Sequence, residues 1–159
     1  MGEKSEELAR RLEATVQEVV AVIEKLSDED WSKVTEPEKW TVGVTGHHLA
    51  GALGAVAGMI AALATGRSQG AFPAARLDEM NASHAREFAR CTKAETLALL
   101  KQGGATTAAV LRGLTDDQLA RSGTVFTDAP PMTVEQLVDL GLFGHIKEHL
   151  GSIRKAAGP

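Results

Sequence analysis

The chain has 159 residues, 43% of them hydrophobic, which is enough for one ordinary domain with its own core. Seventeen Lys and Arg stand against 21 Asp and Glu, a formal charge of −4 with no basic run, which excludes the electrostatic footprint of a nucleic-acid-binding surface. The one cysteine, Cys91, excludes an internal disulfide and fits a reducing, cytoplasmic setting, and the opening MGEKSEELARRLE is charged, with no apolar signal core.

Helical spacing recurs along the chain and no stretch alternates as a strand does, so the sequence predicts an all-α fold in a single domain, 1–159. In the first segment Leu8, Leu12, Val16, Val19, Val20, Ile23 and Leu26 repeat at intervals of three and four, one face of an amphipathic helix. Ser27 then offers an N-cap for a short helical turn in DEDWSKV, before TEPEKW breaks the pattern. A second helix is expected from about Val42 to Thr65, with Gly66 as its stop. Its stretch LAGALGAVAGMIAALA (49–64) is the longest apolar run. At 16 residues it falls short of the roughly 20 that span a bilayer, and it reads as a buried helix with no membrane role.

The loop GRSQGAFPA leads to a third helical stretch starting near Arg76. That stretch breaks at Cys91, because TKAE (92–95) is a capping box able to restart a helix. Gly103-Gly104 marks a kink or break in the restarted helix. SGTVFTDAPPM, with two prolines, is a loop, and TVEQ (133–136) is a further capping box that opens the last helix, expected to run to about Lys155. Four principal helices joined by loops imply a four-helix bundle.

The last helix carries GHIKEHLGS (144–152). Positions four apart on an α-helix lie about 40° apart, so His145 and His149 project together. They share a face with Val134, Val138, Leu142, Ile146 and Ile153, which puts both imidazoles inside the apolar stripe. Buried polar groups need partners. Either each imidazole bonds a core neighbour, or the two bind one metal.

Three further histidines bear on that choice. His47 and His48 are adjacent on the second helix and cannot both face inward. Its strongest stripe is Val42, Leu49, Leu53, Val56, Ile60 and Leu63; His48 flanks it, while His47 lies almost opposite, among Gly51, Gly54 and Gly58. His48 is the better inward candidate, and His47 is expected to pack against a neighbour through the small-residue face. His84 shares a face with Leu77, Met80, Asn81 and Phe88, and reads first as a core histidine bonded to a carboxylate. Cys91, without an activating neighbour, reads as a small buried apolar residue.

HIKEH also fits H-x-x-E-H, the inverzincin protease motif, with Glu148 as general base. That chemistry needs a downstream carboxylate ligand. After His149 stands LGSIRKAAGP, with no Asp or Glu, so the protease reading is set aside. Glu148 is then a solvated carboxylate or one that supports a ligand from behind.

The stretch WTVGVTGHHL (40–49) resembles the DinB/YfiT-like signature, in which a tryptophan precedes a histidine-leucine pair by eight positions. Trp40 and His48-Leu49 fit that spacing. GHIKEHLGSIR (144–154) resembles the family's second signature, H-x-x-x-H on the last helix, and the segments LDEMNASHAREFARCTKAETLALL and LRGLTDDQLARSG resemble a bacterial subgroup. The resemblance implies an up-and-down four-helix bundle, commonly homodimeric, holding a divalent metal through His48, His145 and His149. It also implies activities such as transferases and isomerases that use low-molecular-weight thiols, bacillithiol and mycothiol among them.

Three neutral imidazoles leave a metal position open, the arrangement of catalytic rather than structural zinc. Zinc, nickel and iron all accept imidazole. The leading expectation is therefore a metal-dependent enzyme acting on small molecules, of the thiol S-transferase type. A metal-dependent hydrolase, a non-catalytic metal- or ligand-binding stress protein, and an interaction module with merely structural histidines are the alternatives. Asn81, His84 and Glu148 are the candidates to touch substrate or to support a ligand.

Overall fold

The computed structural model describes residues 2–67 and 72–158. Four long helical segments form the bundle: α1 (Glu3–Lys25), α3 (Val42–Ala64), α5 (Lys93–Arg112) and a last helix built from α7 (Val134–Leu137), a π-helical segment (Val138–Gly144) and α8 (His145–Ala157). Between them lie α2 (Asp28–Ser32), α4 (Arg76–Glu87) and α6 (Asp116–Ala120). Residues 68–71, within the GRSQGAFPA loop, lie outside the described residues.

The starts of these helices follow their capping chemistry. Ser27 with Asp30, Thr92 with Glu95, Thr115 with Gln118 and Thr133 with Gln136 each form a reciprocal box, in which side chain and backbone satisfy one another's orphan groups. The third of these opens α6, a short helix outside the sequence expectation although TDDQ carries the same signature. The apolar face of α1 is buried as its spacing requires: Leu12, Val19 and Ile23 are fully covered.

The direction of each helix follows from which residues touch. Lys93 at the start of α5 donates to the Leu26 carbonyl at the end of α1, and Arg112 near the end of α5 pairs with Glu6, so α1 and α5 are antiparallel. Against α3, by contrast, α5 runs parallel: Gly46 lies near Thr96, and the Thr107 hydroxyl donates to the Leu53 carbonyl at 3.1 Å. The last helix returns alongside α1, through Lys4–Glu135, Arg11–Asp139 and Arg154–Glu18. The four-helix bundle therefore runs up, down, down and up rather than in the strict up-and-down alternation that the resemblance implies, because α4 carries the chain back between the two descending helices.

The structure departs from the sequence expectations in four further places. Gly103-Gly104 does not break α5, which runs on to Arg112. These glycines serve close approach: a Cβ at Gly104 would stand 2.9 Å from the Val16 Cγ1, and one at Gly103 only 3.2 Å from the Leu53 Cβ. The last helix is not α-helical throughout. In its π segment the Asp139 carbonyl lies beneath residue 144, where an added Cβ would stand 3.2 Å from that oxygen, so glycine suits the wide turn. A small ladder pairs Ser122–Gly123 with Met132–Thr133 across the proline loop, where no strand was expected. Finally, α3 has 23 residues and a most apolar window of mean hydropathy 1.5, so by those measures it is long and apolar enough to cross a membrane, unlike the apolar run 49–64 taken alone. Leu49, Leu53, Ile60 and Leu63 of α3 are buried in the bundle core.

These contacts predict opposite outcomes for two identical substitutions. A Cβ at Gly151 of α8 would meet nothing within 4 Å, so Gly151→Ala should stabilise by up to about 1 kcal/mol through helix propensity alone. Gly104→Ala should instead destabilise by about 1 kcal/mol, because the stiff Val16 side chain must yield. Urea unfolding of both variants decides it, and equal shifts would mean that α5 is not wedged against α1.

Candidate metal centre

His48 stands in the second turn of α3, and His145 and His149 in the first two turns of α8. Because α3 and the last helix are antiparallel, these turns meet at the same end of the bundle. His48 Nε2 lies 3.0 Å from His145 Nε2, which lies 3.1 Å from His149 Nε2. One ring nitrogen from each of the three falls within 4.8 Å of the others. His149 is buried, and His48 and His145 are half-buried.

The fit of this cluster to a cation can be tested from its donors. A neutral imidazole nitrogen has one in-plane site, carrying either a proton or a lone pair. His145 Nε2 faces two other Nε2 atoms, and with one such site it cannot make a well-formed hydrogen bond to both. A divalent ion about 2.0–2.1 Å from each nitrogen removes the conflict by accepting all three lone pairs, and it would hold those nitrogens about 3.0–3.4 Å apart. The observed spacings are compatible with that.

A loop builds the outer side of the site. Residues 34–41 are pinned by the Val34–Thr41 bridge, by Thr35 N–H donating to the Trp40 carbonyl at 2.8 Å, and by Lys39 N–H donating to the Thr35 carbonyl at 3.0 Å. Lys39 adopts φ 59°, the left-handed region that a lysine occupies only at a cost. The tight loop sends Glu38 onto one histidine and Trp40 onto another. Glu38 Oε1 accepts from His149 Nδ1 at 2.8 Å, and the Trp40 ring packs edge-on to His48 at 5.2 Å between centroids. Burial pushes the Glu38 carboxyl pKa up; the Thr35 hydroxyl, the His149 ring and the Ser152 hydroxyl together push it further down, leaving it below its ordinary value. Its Oε2 is buried without a hydrogen-bond partner among the described residues.

On the other side, α4 brings up the remaining imidazole. His84 Nε2 lies 2.8 Å from His47 Nδ1, and Phe88 stacks on His47 at 4.1 Å between centroids. His84 also meets His48 edge-on, 5.5 Å between centroids, so all five histidines form one contiguous group. One expectation changes here. His84 is bonded to another imidazole rather than to a carboxylate. His47 packs against a neighbour as expected: α4 covers that side of α3 and buries it.

Of the other sequence candidates, Asn81 is half-buried, about one turn ahead of His84 on α4. Glu148 is exposed on α8, and the carboxylate that reaches a histidine of the cluster is Glu38 instead. Sequence reasoning misses Glu38 because loop residues carry no periodicity to say where they point; its place two residues before Trp40 is the one available signal. Cys91 is half-buried, its thiol pKa raised by burial, and its carbonyl accepts from the Trp31 indole at 3.1 Å.

A helical bundle carrying a three-histidine cluster compatible with a divalent metal is the class of protein this structure defines. The family model of the DinB superfamily matches residues 11–153, and the chain belongs to that superfamily. No curated protein and no solved structure matches it significantly.

Burial, followed by the charges of neighbouring imidazoles, lowers the pKa of His48 to about 3 and that of His145 to about 4. Both remain neutral at physiological pH. Unfolded histidines take up protons near 6.5 while these folded ones resist, so the unfolded state binds more protons as pH falls. Metal-free protein should thus keep its full stability above about pH 6.5 and lose on the order of a few kcal/mol by pH 4. Urea unfolding across that range in the presence of chelator measures the slope. Replacing His48 and His145 together with Ala should flatten it, and an unchanged slope would assign the effect elsewhere.

Proposed function

We propose that this protein is a metal-dependent enzyme acting on small molecules, with a divalent ion held by His48, His145 and His149 through Nε2. The observation that carries the reading is the convergence of those three nitrogens. An ion held there supplies Lewis acidity toward a thiol, a water or an electrophile. The reaction type we favour is S-transfer from a low-molecular-weight thiol, in which the thiol loses its proton and its sulfur displaces a leaving group from an electrophilic carbon. Within the chain, Trp40 and Glu38 hold the outer side of the cluster, while His84 and Asn81 on α4 are the groups we assign to substrate contact. The acidic balance and lone half-buried cysteine support a cytoplasmic setting without nucleic-acid partners.

Single replacement of His48, His145 or His149 by Ala should sharply lower metal content by elemental analysis of untagged protein, whereas His47→Ala should retain most of it. Under chelator titration, circular dichroism should stay largely helical, because the apolar core is complete without the cluster, while thiol consumption disappears and returns with added metal. Helicity that collapses together with metal loss would make the site structural. Bound metal without turnover across a panel of thiols and electrophiles would favour a hydrolase or a binding protein.

We also read the protein as a homodimer. Gly54, Ala55 and Gly58 of α3 are exposed, and a Cβ at either glycine would meet nothing within 4 Å, which leaves room for close approach of a second copy. Light scattering at micromolar concentration should report twice the chain mass of 16.8 kDa; a monomer would overturn this reading.

A further inference from the structure

Glu38 has a buried side chain, 7% exposed, on a loop otherwise rich in solvent-facing residues. Its burial is not incidental to packing, since the loop is held in a left-handed turn at Lys39 and tied to α3 by Thr35 and Thr45, whose hydroxyls lie 3.2 Å apart. The product of that construction is a short contact, Oε1 to His149 Nδ1 at 2.8 Å. A carboxylate accepts, so the Nδ1 facing it is the nitrogen that carries a ring proton, and Nε2 is the nitrogen left to offer a lone pair. That is the atom turned toward His145 and His48.

We infer that Glu38 is the positioning residue of the metal centre, locking His149 into the Nδ1–H tautomer before any ion arrives and making its Nε2 a stronger donor. The inference rests on the metal reading for its effect on affinity, but the tautomer itself is a property of the chain. Trp40, two residues on in the same loop, packs on His48, so one strap steadies ligands on two different helices. The supporting carboxylate thus comes from a third element, the loop between α2 and α3.

Two measurements on full-length protein test this. Nitrogen-15 NMR of metal-free protein should find His149 with its proton on Nδ1, and Glu38→Ala should move it toward the Nε2–H form that prevails in water. Competition of zinc against a chromophoric chelator should show binding weakened about 10–100-fold in Glu38→Ala. Glu38→Gln keeps a carbonyl acceptor without the charge, so it should fall between the two and guards against a folding defect in the alanine variant. An unchanged tautomer in both variants, or unchanged zinc affinity in both, would overturn the inference. Wild-type protein that takes up no zinc yet shows the Glu38-dependent tautomer would sink the metal reading instead and leave the lock standing.

Discussion

Three imidazole nitrogens meet at one point, and each has a single in-plane position to offer. Hydrogen bonding among them cannot satisfy His145 Nε2 on both sides, at 3.0 and 3.1 Å, and the surrounding burial drives His48 and His145 toward neutrality. The chain therefore maintains a concentration of lone pairs at the end of its bundle. Such an arrangement has a cost unless something accepts those lone pairs, and the rest of the architecture can be understood as what keeps it in place.

Two of the three nitrogens are easy to bring together, since His145 and His149 are one helical turn apart. The third requires that α3 and the last helix hold a fixed register over their length. Two features of the bundle bear on that register. Close packing of α5 against α3 at Gly103, and against α1 at Gly104, seats the Leu53 and Val16 side chains directly on the α5 backbone and brings three helices to short range. The π segment just before His145 then adds a wide turn to the last helix, so the phase of α8 is not simply inherited from α7. Leu137 and Val138 before it, and Ile146, Leu150 and Ile153 after it, all remain buried.

Adjacent His47 and His48 illustrate how much a single helix position decides. About 100° of rotation separates them. One joins the cluster with His145 and His149; the other turns to α4, where it bonds His84 and stacks on Phe88. His84 in turn touches His48, so the two sets are contiguous although they lie on different sides of α3. The loop of residues 34–41 closes the opposite side with Glu38 and Trp40.

Periodicity and capping are local properties, and they were legible in the sequence: the stripe of α1, the boxes at Ser27, Thr92 and Thr133, the stop near Gly66, and the shared face of His145 and His149 all appear in the structure. His48, chosen over His47 by its position beside the apolar stripe, lies in the cluster for the same reason. Features that depend on what a residue meets across space were not legible. Gly103 and Gly104 look like helix breakers until Leu53 and Val16 are seen pressed against them. Which neighbour covers His47, and that the carboxylate reaching His149 is Glu38 from a loop 111 residues away while Glu148 stays exposed, likewise depend on contacts across space. Within one regular α-helix the relative phase of residues follows from chain geometry alone, and the sequence by itself determined it. Which helices pack, in which direction, and what an aperiodic loop delivers to them depend on long-range contacts, and only the tertiary structure decided those.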